Sequence, residues 1–193
     1  CLTKLKAYEL TDGEILINGE PVDLQKHNIA YIFQEYSSFP WATVEENIAY
    51  GLKVKKRPPE EIKERVEEML QLVGLAEYRN YYPGQLSASM LQRVSIARAF
   101  AVQPELLLMD EPYGQLDNSL RYKLEDELIH LWQRTGTTVI FITHNIEEAV
   151  YLSERILVLT NKPTSIKKEI ENNLPRPRDV TDPAFNKLRD EVT

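Results

Sequence analysis

The seven residues Leu106-Leu107-Leu108-Met109-Asp110-Glu111-Pro112 constrain this chain more than any other stretch. Four apolar residues lead straight into two carboxylates and a proline. A short continuous apolar run suits a strand covered on both faces. Proline has no N–H to give to a ladder, so the strand stops there. Asp110 and Glu111 then stand at the carboxyl end of a central strand, where ligands of open α/β sheets bind. Adjacent side chains on a strand point to opposite faces, so the two acids can take different tasks. One can hold a metal through water, and the other can orient or deprotonate a nucleophile. A strand that merely ends in two acids has the same pattern, so the surrounding segments decide.

Residues 13–17 followed by Asn18-Gly19 read as a strand and a tight hairpin turn. Residues 29–33 form a second strand, which delivers Gln34. An aromatic loop follows, with Tyr36, Phe39 and Trp41. Thr43 and Glu46 make a capping box that opens a short helix through Tyr50. Pro58-Pro59 and two acids start another helix, whose Ile62, Val66, Met69, Leu70 and Val73 share one face before Gly74. A third helix opens near residues 86–90 and runs to about Val102. Residues 118–133 carry a stripe of Leu120, Leu124, Leu128 and Leu131. Residues 137–143 read as a buried strand ending at His144, and Asn145 caps the next helix. Residues 155–159 are one more strand. From Asn172 the chain turns polar and proline-bearing, which suggests a surface tail with a short helix near residues 185–188.

Strand and helix alternate, so a mostly parallel sheet is expected, interrupted by a helical section. The predicted division is an α/β core from residues 1–35 and 103–165, a helical subdomain at 36–102, and a tail at 166–193. A chain of 193 residues can bury one core of this kind. Net charge is −7, which gives no global footprint for nucleic acid. The single cysteine, Cys1, excludes an internal disulfide framework and fits a reducing compartment. No apolar run approaches the ~20 residues needed to span a bilayer, and the first six residues do not read as a signal peptide.

Three strands end in polar residues: Gln34, Asp110-Glu111 and His144. On parallel neighbours these would converge at one rim. Gln can orient water or a metal ligand, Asp can hold Mg²⁺ through water, Glu can accept a proton from attacking water, and His can donate to a phosphoryl group. Together they suit hydrolysis of a phosphoanhydride, where positioning and charge stabilisation do most of the catalysis. The start of the helix after Leu86 adds free N–H groups that suit a phosphate, with Ser87 supplying a hydroxyl. Serine is also simply a good N-cap.

In this order the segments resemble the nucleotide-binding subunit of an ABC transporter. Tyr31-Ile32-Phe33-Gln34 resembles the Q-loop. Residues 86–93, running into Ile96-Ala97-Arg98-Ala99, resemble the signature motif and its helix. Residues 106–112 resemble Walker B with its catalytic Glu, Gly114-Gln115-Leu116-Asp117 the D-loop, and Thr143-His144 the switch histidine. The loop of Phe33 to Trp41 with Thr43-Val44 and Asn47-Ile48, and the segment Leu174-Pro175-Arg176-Pro177-Arg178-Asp179, look like importers for nitrate, sulfonate, taurine and related small solutes. The resemblance implies a P-loop NTPase sandwich with an inserted helical subdomain, binding ATP and Mg²⁺ as a head-to-tail dimer. Asp110 and Gln34 would serve the metal, Glu111 would be the general base, and His144 would contact the γ-phosphate. Ser87, Ala88, Ser89 and Met90 would meet ATP held by the second copy, and Asp117 would lie near the dimer axis. Implied partners are a transmembrane permease, whose coupling helix would dock beside Gln34 and the aromatic loop, and an extracytoplasmic solute-binding protein. Nucleic acid is not expected. The implied location is peripheral, on the cytoplasmic face of the cell membrane.

The sequence departs from the family at three places. Gly-x4-Gly-Lys-Ser/Thr, the loop that holds the β- and γ-phosphates, does not occur in these residues. The resemblance places it just before Cys1, so the expectation is a chain lacking its Walker A strand and loop, with weak ATP binding by these residues alone. Ala88 and Ser89 stand where the family has two glycines, and Gly114-Gln115 where it usually has Ser-Ala. Two other readings compete: a degenerate remnant that binds a permease or partner subunit without hydrolysis, and a soluble ABC protein acting on DNA or ribosomes.

Overall fold

A computed structural model describes residues 12–192 apart from 35, 36, 115 and 117. The chain begins with a hairpin, β1 (Leu16–Ile17) and β2 (Glu20–Pro21). Asn18 (φ +53°) and Gly19 (φ +81°) both take the left-handed conformation that a two-residue type I′ turn requires.

Three parallel strands carry the molecule: β3 (Ile29–Ile32), β4 (Leu106–Asp110) and β5 (Thr138–Ile142), in the order β3-β4-β5. Ile32 lies opposite Met109, and Asp110 opposite Ile142. The carboxyl ends of all three therefore reach the same rim, and β4 is central as its apolar run requires.

The helical section supplies α1 (Val44–Val54), α2 (Pro59–Leu72) and α3 (Ala88–Ala101). The capping box at α1 is present: Glu46 N–H donates to Thr43 Oγ1 (3.2 Å), and Thr43 N–H donates to Glu46 Oε2 (2.8 Å). The helix runs four residues past Tyr50. Ile48, Leu52, Leu70, Val94 and Phe100 from these helices join Ile32, Leu107 and Met109 in one buried cluster. The stripe of α4 (Asn118–Thr135) closes the same cluster through Leu124, Leu128 and Leu131.

β5 differs from the expected buried strand. Val139 and Phe141 pack on the core, while Ile140 and Ile142 are exposed. Burial on both faces needs a layer on each side. Among the described residues β5 is an edge strand with one face covered.

Residues 166–192 also differ from a surface tail. After α5 (Ile146–Leu152), β6 (Arg155–Leu159) pairs antiparallel with β7 (Ile166–Glu171), and α6 (Pro183–Val192) follows. Ile156, Ile170, Phe185 and Val192 bury a second cluster with Val150 and Tyr151. The consecutive charged residues Lys167, Lys168 and Glu169 on β7 masked its strand period. Arg178 is buried and caps the end of α5, its Nη1 donating to the carbonyls of Val150 (2.8 Å), Tyr151 (2.8 Å) and Ser153 (2.7 Å). Burial pushes its pKa down to about 10, so the charge persists at neutral pH. Arg178→Ala should cost about 2–4 kcal/mol, since it strands several carbonyls at once; urea unfolding measures the loss.

Candidate active site

The shared rim brings three of the expected residues together. Glu111 lies between the other two: His144 Nδ1 is 3.1 Å from its Oε1, and Gln34 Nε2 donates to its Oε2 across 3.4 Å. The Glu111 side chain is 29% exposed and that of His144 75% exposed, so a carboxylate sheltered by two polar groups faces open solvent. That is the arrangement needed to take a proton from a water held at the rim.

Strand alternation does not set the direction of Glu111. β4 ends at Asp110, and Glu111 takes φ +44°, a left-handed conformation rare for a residue with a Cβ. The backbone is held there at both ends: Glu111 N–H donates to Ile142 C=O (2.9 Å), and its own C=O accepts from Gly114 N–H (3.2 Å). Such strain persists only where the surroundings over-determine it, and it gathers at functional sites. A Cβ on Gly114 would lie 3.6 Å from Glu111 O and 3.8 Å from its Oε2, ordinary contact distances. Gly114 is thus compatible with the site, as a small side chain would be.

Asp110 has a partner that the sequence reading missed. Tyr31 O–H donates to its Oδ2 (2.9 Å). Burial, reinforced by this bond to a carboxylate, raises the Tyr31 pKa, which keeps the phenol a donor. The signal was available: Tyr31 lies opposite Leu108, so with a period of two it shares a face with Asp110. One fixed carboxylate beside a rim suits Mg²⁺, which takes one or two protein carboxylates and fills its shell from phosphates and water. Among the described residues no cluster of three His, Cys, Asp or Glu could cage a metal. The single carboxylate of Asp110 fits an ion that brings phosphate and water ligands of its own.

Ser87 to Met90 stand apart from this group, at the start of α3. Ser87 is its N-cap, with its Oγ accepting from Met90 N–H (3.4 Å) and 3.1 Å from Ser89 Oγ. Ala88 and Ser89 lie in regular helix, a conformation that needs no glycine. Asp117, Gln115, Tyr36 and residues 1–11 lie outside the described residues.

Beneath the rim, buried acids surround Arg121. Glu125 is fully buried, with Arg121 Nε 3.6 Å away, too far for a hydrogen bond. Burial chiefly, and then the Glu148 charge, push its pKa up to about 8. Nothing in the spacing marked Glu125, because its place beside Leu124 and Leu128 resembles any helical i, i+4 pair with Arg121.

A model of the ABC transporter family matches residues 2–114. Over 181 residues the chain is 45% identical to the aliphatic sulfonates import ATP-binding protein SsuB of Bacillus cereus, covering 94% of this chain and 71% of that protein. It is 42% identical over 182 residues to an uncharacterised ABC transporter ATP-binding protein of Methanocaldococcus jannaschii, covering 94% of this chain and 68% of the relative. The solved structure of CbiO1 from Clostridium perfringens, part of the ABC transporter complex CbiONQ, matches with a TM-score of 0.70 and 26% identity. That match covers 76% of this chain and 62% of CbiO1. The chain belongs to the ABC transporter ATP-binding family, in the importer branch that includes the SsuB proteins. Its fold is accordingly the α/β core of an ABC-type P-loop NTPase, a family of ATP-hydrolysing subunits that binds ATP, generally with Mg²⁺.

Glu125 makes a pH prediction. Its carboxyl titrates near 4.5 when unfolded and at about 8 in the fold. Between those values the native state keeps a proton that the unfolded chain has lost, so stability falls as pH rises through that window. Glu148 and Glu127 shift in the same direction. Melting temperature should decline from pH 5 to 8, and Glu125→Gln should shrink the decline; an unchanged slope in the variant would exclude Glu125 as its source.

Proposed function

We propose that the protein is the ATP-hydrolysing subunit of an importer for small sulfonate-like solutes, acting as a head-to-tail dimer on the cytoplasmic face of the membrane. The observation that carries this reading is Glu111, held between Gln34 and His144 at the end of β4. Glu111 is the general base for the attacking water. His144 contacts the γ-phosphate and stabilises charge there. Asp110, steadied by Tyr31, and Gln34 would hold Mg²⁺, which would supply positive charge to offset that of the phosphates. Ser87, Ala88, Ser89 and Met90 offer a helix N-terminus and hydroxyls to ATP bound by the second copy.

Identity to SsuB supports the solute class and importer role. No helix among the described residues is long and apolar enough to cross a membrane. In this reading, passage of the solute falls to permease subunits, supplied by a solute-binding protein outside the membrane. Residues 36–102 act as the lobe that meets the permease. Trp41, 75% exposed and stacked near Phe39 (5.4 Å), presents an aromatic surface for that contact.

Glu111→Gln keeps the shape and removes the base, so it should lower ATP turnover of the intact gene product about hundredfold or more, with ATP still bound. Turnover unchanged in that variant removes Glu111 from the chemistry. Wild-type protein inert even with its permease selects the non-hydrolysing partner instead.

A further inference from the structure

His144 sits at the apex of a turn with its own internal brace. Asn145 N–H donates to Thr143 Oγ1 (2.9 Å), so the residues flanking His144 are tied together. Thr143 O–H donates onward to Glu148 Oε2 (2.6 Å), in the first turns of α5. Asn145 Oδ1 accepts from the N–H groups of Glu147 (2.9 Å) and Glu148 (3.4 Å), which fixes the same turn to the helix start.

The brace continues to α4. The other oxygen of Glu148 lies 3.7 Å from Arg121 Nε, and the same guanidinium approaches Glu147 (3.6 Å) and Glu125 (3.6 Å). Tyr122, next along α4, donates to Glu147. The side chains of Arg121 and Glu148 are 11% and 5% exposed, so this contact is screened little by water. A buried carboxylate needs a cation to stay charged, and a charged acceptor makes a stronger bond to the Thr143 hydroxyl. Glu125, kept neutral by burial, leaves the charge of Arg121 to Glu148 and Glu147. The His144 ring, by contrast, is mostly exposed, so packing does little to aim it.

We propose that Arg121, Glu148 and Thr143 are positioning residues that aim His144 at Glu111, so that a displacement of α4 is felt at the hydrolytic site. This rests on reading Glu111 and His144 as the hydrolytic pair. α4 starts at Asn118, eight residues after Asp110. One segment of chain thus leads from the acids of β4 to the guanidinium that steadies the turn on β5.

The test uses the intact gene product. Thr143→Val, Glu148→Gln and Arg121→Ala should each lower kcat about tenfold to hundredfold, because small misplacements of a reacting group are costly. KM for ATP should stay within about twofold. Arg121→Lys should recover part of the rate, and the Thr143→Val/Glu148→Gln double variant should be no slower than the slower single one. The His144 ring resonance, followed by NMR without ATP, should shift in Glu148→Gln and Thr143→Val. Wild-type kcat and an unmoved His144 resonance in those two variants overturn the proposal. So do losses that merely track melting temperature, with Arg121→Lys no better than Arg121→Ala. If Arg121→Ala fails to fold, Thr143→Val, which removes one hydroxyl, carries the test. Full turnover in Glu111→Gln would defeat the reading of the site while leaving the His144 resonance to decide the brace.

Discussion

Everything at the rim depends on the parallel register of three strands. Ile32 opposite Met109 and Asp110 opposite Ile142 leave Gln34, Glu111 and His144 with nowhere to go but one edge of the sheet. The register is in turn enforced by burial. Leu107 and Met109 point into the cluster shared with α1, α2, α3 and α4, and a slip of one residue would turn them to the opposite face. The geometry of the polar site is thus set by apolar contacts some distance beneath it.

That scaffold delivers residues only to within reach, and local devices finish the task. Glu111 leaves the strand through a left-handed backbone step closed by hydrogen bonds on both sides. Asp110 is steadied by a phenol from the neighbouring strand. His144 is held by the turn behind it. Each device fixes one side chain at the cost of strain or of buried polar groups, as expected where positioning outweighs stability.

Much of the fold was legible because its signals are local and periodic. The capping box at Thr43, the hairpin at Asn18-Gly19 and the leucine stripe of α4 each announce their element within a few residues. The trio of Gln34, Glu111 and His144 was legible for a different reason: three strands each end in a polar residue. What stayed hidden depends on long-range packing. Arg121 and Glu125 sit at the spacing of an ordinary surface ion pair, and only the approach of α5 turns them into buried partners of Glu148. β7 was missed because Lys167, Lys168 and Glu169 hide a strand of which only Ile170 is buried. Arg178 looked like a solvated tail residue because nothing in sequence marks the carbonyls that receive it.

The seven residues of α5 are too few to make a helix that persists alone. Here it is pinned at both ends, by Asn145 in front and by Arg178 behind, the latter gripping main-chain oxygens rather than side chains. A short helix fastened in this way behaves as a strut: it does not fray, so a push at one end arrives at the other. The carboxyl-terminal segment, by supplying the rear pin, becomes part of the stiffness of the histidine turn although it comes nowhere into the chemistry.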